Sequence, residues 1–340
     1  MLANTCNEHR QLPDSSSTIE INSQHILYSV IFAEDGKQIL SGGAEGMLRR
    51  WEVDGGHEVG EPIRAERGHI YAVALSPDRR WLVSGMTRYV VVWNAQTHEK
   101  VHDIHAHGRS TVFSVDISPD STKFATGACD RFVFIWSMTT GEKLVSLQED
   151  DFVVAMQFSP TGERIATAAE SIRIYNCENG QQLACIPCRF YSNISSSLAW
   201  SADGRRLFAA SYSEVRRFDT SSGSLLSKWT IPSGGLRTSI VLSHNKRFAA
   251  VVVERSLYFL DTIREKQIGK VINHGSEVWS IALSPNDNHI ATVETNGKVA
   301  LRNLCDILRS YYPRVNVSNF TCFSLVNVTR SAYSRFLLAS

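Results

Sequence analysis

The 340-residue sequence predicts an all-β fold, seven four-stranded antiparallel sheets set as blades around a closed ring. Three observations carry this expectation. A polar turn recurs at a nearly constant interval, each recurrence sits in the same order of four short strands, and no long helical period runs anywhere in the chain. Taking the residue that opens the turn as a marker, it falls at Ala33, Ser76, Ser118, Ser159, Ser201, Ser243 and Ser284, at intervals of 43, 42, 41, 42, 42 and 41 residues. Chance does not hold register over such a distance.

Each unit opens with a short inner strand: "YSVIF", "YAVAL", "FSVDI", "VAMQF", "SSLAW", "TSIVL" and "WSIAL". A turn such as "SPDRR" follows, then a second strand such as "WLVSG" or "KFATG". A third strand ends in a bulky residue: Trp51, Trp93, Trp136, Tyr175, Phe218, Leu260 and Leu301 in turn. A Gly-rich or polar turn leads to the fourth, outer strand, as in "TTGEKLVSL". The inner strands read as apolar on both faces, so each sheet needs a neighbour on each side. A linear stack would leave two apolar end faces. Radial closure removes them, and seven blades lies in the usual range for a propeller. The seventh unit, His274 to Asn303, supplies only three strands. The segment "SSTIEINS", Ser16 to Ser23, carries alternating Ile19 and Ile21 and is expected to complete that blade and close the ring.

The Gly68-His69 pair, the terminal Trp found three times and the marker turn present in all seven units together resemble the WD-repeat (WD40) β-propeller family. The resemblance covers residues 15–303. It leaves an N-terminal extension, 1–14, expected to be disordered, and a non-repeat tail, 304–340. In that family an Asp in the turn between second and third strands joins a His, a Ser or Thr and the Trp in a hydrogen-bonded group. The third unit matches with His107 (or His105), Thr126, Asp130 and Trp136, a structural network rather than a catalytic one. Counting back six residues from the other terminal positions gives Glu45, Thr87, Ala169, Tyr212, Glu254 and Thr295, so only the third unit keeps the acid. The other blades are expected to be held mainly by packing.

The resemblance implies a non-catalytic scaffold or adaptor that recruits a partner protein or peptide through the narrower rim. There the first inner-strand positions read Tyr28, Tyr71, Phe113, Val154, Ser196, Thr238 and Trp279. The four aromatics belong to blades contiguous around a closed ring, and neighbouring turns add Arg88, Arg131 and Glu45. Such a patch suits interface anchoring of a peptide, acidic or phosphorylated. The bland alternative is that the rings only plug the strand ends. An enzyme acting on a small molecule in the central channel is the alternative function. It is disfavoured because Asp116 is the only acid at the inner-strand positions.

Composition narrows the classes further. With 43% apolar and 20% charged residues and a net charge of +1, neither a nucleic-acid nor a membrane partner is expected. Seven scattered cysteines point to a reduced, intracellular setting, cytoplasmic or nuclear. The lone Cys185-x-x-Cys188 lacks two further ligands for zinc, so no metal is expected. The absence of nucleotide-binding and hydrolase motifs implies no cofactor and no enzyme. The tail after Asp306 has no acid and no lysine. Packing outside the closing blade, lack of order and a gene-model artefact all stay open for it.

Overall fold

The computed structural model describes residues 18–33, 36–187, 197–211, 214–232, 237–244, 246–308 and 311. The extension 1–14, Ser196, Tyr212, Cys188 and nearly all of the tail past Leu308 lie outside the described residues.

Seven four-stranded antiparallel sheets make a seven-bladed β-propeller. The inner strands, blades 1 to 7, are Leu27–Phe32, Ile70–Leu75, Val112–Ile117, Ala155–Phe158, Ser197–Trp200, Thr238–Leu242 and Val278–Leu283. The core is divided into seven wedges, one at each junction between blades. Between blades 2 and 3, for example, Val83, Val90 and Val92 meet Val112, Phe124 and Trp136. Between blades 5 and 6, Phe208, Val215 and Trp229 meet Ile240, Val251 and Tyr258. Each fully buried aliphatic or aromatic side chain contributes about 1.5–3 kcal/mol of transfer free energy.

The recurring Gly at the end of the second strand has a steric origin. A Cβ on Gly42 would lie 2.5 Å from Ile70 Cγ2 of the next blade. One on Gly127 would lie 2.6 Å from Val153 Cγ1. The marker turn also has a local cause. The Ser118 hydroxyl donates to Asp120 (2.6 Å) and accepts the Lys123 N–H (2.9 Å), while Asp120 accepts the Thr122 N–H (3.1 Å). These bonds satisfy the turn's polar groups in place of a ladder. Ser76 with Asp78 and Ser201 with Asp203 repeat the bond.

The inner strands depart from the expected apolar reading. In several of them the second or fourth position carries a polar side chain that reaches across to the next blade's free backbone edge. The Val73, Val30 and Met156 N–H groups donate to Ser29, Ser280 and Ser114 Oγ at 3.3, 3.2 and 3.2 Å. One rung on, the Phe158 N–H donates to Asp116 (2.7 Å) and the Trp200 N–H to Gln157 Oε1 (3.1 Å). An innermost strand has no partner on its channel side, and these groups answer the exposed N–H donors.

The ring closes through Thr18–Asn22, which pairs antiparallel with Lys298–Asn303, Thr18 opposite Arg302 and Asn22 opposite Lys298. Ile21 is buried in the wedge between blades 7 and 1, Ile19 packs against it, and Glu20 pairs with Lys298 at 2.5 Å. After Asn303 one helical turn, Leu304–Leu308, folds back onto blade 6, burying Leu304 and Leu308. Among the described residues no helix is long and apolar enough to cross a membrane.

Deleting residues 1–23 removes the closing strand and uncovers its wedge. The thermal midpoint, followed by circular dichroism, is expected to fall by roughly 10 °C. An unchanged midpoint would show that the strand does not hold the ring shut.

Candidate functional site

The third blade assembles the four residues singled out in its sequence. The Trp136 indole N–H donates to Thr126 Oγ1 (2.9 Å), and the Thr126 hydroxyl donates to His107 Nε2 (2.7 Å). His107 Nδ1–H then donates to Asp130 Oδ2 (2.9 Å), whose other oxygen accepts the Phe132 N–H (3.1 Å). The sequence of bonds places the His107 proton on Nδ1. His107 is fully buried and stacks on Phe134, so the chain ties the loop before the inner strand to the turn beyond it.

Two more blades carry variants that counting by residue type misses. In blade 4, Glu149 takes the place of His107, since its N–H bonds the carbonyl of Arg131 as the His107 N–H bonds that of Arg88. Glu149 accepts from the Thr167 hydroxyl and from Arg173 Nη1, both at 2.6 Å, and Arg173 Nη2 reaches Asp150 at 2.7 Å. Burial pushes the Glu149 carboxyl up against the pull of Thr167 and Arg173. In blade 7 the bulky position is Arg302, not Leu301. Arg302 stands opposite Ile290 as Trp136 stands opposite Phe124. The position six residues back is therefore Asn296 rather than Thr295. Arg302 Nη1 donates to His274 Nε2 (3.1 Å), which also lies 2.9 Å from Thr292 Oγ1. Burial and the Arg302 guanidinium push His274 down to about 4. These bonds add to the packing expected to hold the other blades mainly, as do the Trp51 and Trp93 indole N–H groups, which donate to Ser41 and Ser84 Oγ at 2.9 Å in blades 1 and 2.

At the narrower rim the four aromatics form one cluster. Tyr28 stacks on Tyr71 (centroids 5.1 Å, 21° between planes), and Trp279 meets Tyr28 edge-on at 5.2 Å. Tyr71 meets Phe113 edge-on at 6.1 Å. These are favourable aromatic geometries. Phe113 is 42% exposed, while Tyr28, Tyr71 and Trp279 are half-buried. On the other side, Val154 is half-buried and Thr238 is buried, its hydroxyl donating to Ala210 O at 3.1 Å.

Three residues that the sequence reading did not place at the rim join the patch. His69 packs beside Tyr71 at 5.9 Å, and exposed Phe152 extends the aromatic arc to blade 4. Arg237 lies over the Trp279 face, 3.3 Å from its centroid, and pairs with Glu277 at 3.5 Å. None of the three opens an inner strand, so the position rule could not find them. Arg88 and Arg131 are exposed and their guanidinium groups have no partner among the described residues. Glu45 differs from the expectation of an open rim group, since His25 and Arg49 both hold it.

Below the rim, the central channel encloses about 730 Å³. Asp116 is set into its wall, and burial pushes its carboxyl up to about 7 against the pull of the Phe158 and Ile117 N–H groups. Among the described residues no cluster of His, Cys, Asp and Glu is placed to hold a metal.

Fold and networks define the class: a closed propeller of repeats, of which the third, fourth and seventh are pinned by side-chain bonds from the second and third strands to the loop ahead of the inner strand. The family model for the WD domain, G-beta repeat, matches residues 60–94, 98–137 and 265–302. Each match begins near the outer strand of one blade and ends in the third strand of the next. Three stretches of the chain thus match WD repeats, in keeping with the resemblance seen in the sequence.

Among its relatives, the small ribosomal subunit protein RACK1 of Caenorhabditis elegans is 31% identical over 152 residues, 41% of this chain and 46% of that protein. Apoptotic protease-activating factor 1 of Rattus norvegicus is 28% identical over 207 residues, 60% of this chain and 16% of the relative. The guanine nucleotide-binding protein subunit beta of Zea mays is 25% identical over 232 residues, 61% of this chain and 60% of the relative. The chain thus spans less than half the length of the first two.

Asp130→Ala leaves His107 Nδ1–H and the Phe132 N–H without their acceptor and is expected to cost about 1–3 kcal/mol in urea unfolding. A loss below a few tenths would show that the bonds carry no stability. The Asp116 carboxyl titrates near 4 in the unfolded chain and near 7 in the fold. Between those values the unfolded chain binds fewer protons. This residue therefore makes stability fall as pH rises, by up to ~1.4 kcal/mol per unit, and then level off. Asp116→Asn keeps an acceptor for Phe158 and removes the fall, so its advantage over wild type is larger at about pH 8 than at about pH 5. Equal differences at both pH values would refute the raised titration.

Proposed function

We propose that the chain is a non-catalytic interaction scaffold that recruits a protein or peptide partner through its narrower rim. Tyr28, Tyr71, Phe113 and Trp279 serve as anchors, with Arg88 and Arg131 beside them. The single observation that carries this reading is the unbroken run of ring contacts from Trp279 through Tyr28 and Tyr71 to Phe113, open to solvent at Phe113. Tyr and Trp anchor interfaces because they offer large rigid area at little cost in side-chain freedom. A closed ring holds them in fixed relation before any partner arrives, which lowers the ordering cost of binding. The names of two relatives, a ribosomal subunit protein and a G-protein subunit, place those proteins in assemblies and support a scaffold reading here. The partner is taken to be proteinaceous and the setting intracellular.

Affinity capture from cell extract tests the assignment with wild type, Tyr71→Ala/Trp279→Ala and a control, Leu144→Ala, on the exposed outer edge of blade 3. The double variant is expected to lose partners that wild type and the control retain, with melting curves establishing that all three are folded. Retention of the same proteins by the double variant would overturn the rim assignment.

A further inference from the structure

We infer that the rim sector between blades 2 and 3 is a binding site for an anionic side chain, a phosphorylated or clustered acidic residue, displayed by an extended peptide. This rests on the rim reading above and names the chemistry of the partner.

The site is built from two turns and the loop between them. Arg88 ends the turn between the second and third strands of blade 2, and Arg131 stands at the same position in blade 3. The loop of residues 107–111, which carries Arg109, is stitched to both turns. The Arg88 N–H donates to Ser110 O (2.8 Å), and the Cys129 N–H donates to Thr111 O (3.1 Å). Thr87 and Thr111 add a side-chain contact at 3.2 Å. All three arginines are exposed, and no guanidinium among them has a partner among the described residues. Asp130, which precedes Arg131, has its carboxylate committed to His107 and to the Phe132 N–H. Three exposed arginines on turns stitched together by these bonds, close in the chain to the exposed Phe113, offer forked donors to a multi-oxygen anion.

The backbone supplies a second, independent observation. Arg88 and Arg131 have φ of 74° and 68°, in the left-handed region. In blades 1 and 7 the equivalent position is glycine, Gly46 at 71° and Gly297 at 85°. The four are equivalent because each carbonyl accepts the N–H of the residue that precedes the next inner strand's loop: Ala65, His107, Glu149 and Ser23. Glycine meets this conformation freely, and a residue with a Cβ is strained there. Of the ten described non-glycine residues with positive φ, Arg88 and Arg131 are the two at this position, while Arg255, its equivalent in blade 6, is not among them. Strain of this kind is found at functional positions.

A peptide fits better than a nucleic acid. Arg88, Arg109 and Arg131 lie in neighbouring turns, and blade 4 follows with Asp150, Asp151 and the exposed Glu170. A continuous polyanion tracking along the rim would meet those acids. The aromatic rings stack on one another and do not stand apart as platforms for bases.

The full chain is presented with degenerate libraries of phosphoserine and phosphothreonine peptides, the same libraries after phosphatase treatment, glutamate-rich peptides and a short oligoribonucleotide, with binding read by fluorescence anisotropy. Wild type is expected to enrich phosphorylated or glutamate-rich peptides, and the comparison of those two arms identifies which anion is read. Arg88→Gly and Arg131→Gly relieve the strained backbone, so their melting points stay level or rise while affinity for the enriched peptides falls about tenfold or more for each. Equal binding of the phosphatase-treated library, no enrichment, preference for the oligoribonucleotide, or undiminished affinity in the Gly variants overturns the site. If Tyr71→Ala/Trp279→Ala loses captured partners while the Gly variants keep them, the rim reading stands and the anion site falls. Loss in neither sinks both.

Discussion

Every blade is a thin sheet with apolar side chains on both faces, and no face can be left in water. That constraint explains the count of wedges, the closing strand and the composition of the strands. The apolar area between neighbours is what holds the molecule together. The polar reach of Ser29, Ser114 and Ser280 to the neighbouring inner strand only settles the N–H groups that packing cannot cover. Glycines such as Gly42 and Gly127 mark where neighbouring blades come closest, since a methyl group would not fit. Stability is therefore shared among junctions between neighbours, as in other repeat architectures.

Much of this was legible in the sequence, because period, turn and alternation are all local. The marker turn announces itself through Ser and Asp, and the closing strand through Ile19 and Ile21. The bonding networks were harder to read. The bulky third-strand residue falls sixteen to eighteen residues after the marker, because the turn between second and third strands varies in length. A fixed count slips in blade 7, where Leu301 looks like the better apolar candidate and Arg302 holds the position. Blade 4 keeps the connectivity with its charges exchanged, Glu149 in place of a histidine, which no search by residue type would find. The rim was half legible: strand starts follow a rule, but Phe152, Arg109 and Arg237 come from loops whose paths only the fold defines.

The two rims and the core obey different rules. Core positions are set by shape, so one branched residue replaces another from blade to blade. Turn positions at the narrower rim are set by backbone conformation, and most side chains there are free to vary. Variation against the backbone's own preference, as at Arg88 and Arg131, is therefore more informative than variation with it.

Pairing Thr18–Asn22 with Lys298–Asn303 has a consequence for biosynthesis. The first strand leaves the ribosome 280 residues before its partner, which at ordinary elongation rates is about 14 to 56 s. Through that interval the nascent arc carries two unsealed flanks, and its first strand has nothing to pair with. A stalled or prematurely terminated ribosome would release a sticky crescent, so the burden on chaperones comes from the order of synthesis, however stable the finished ring.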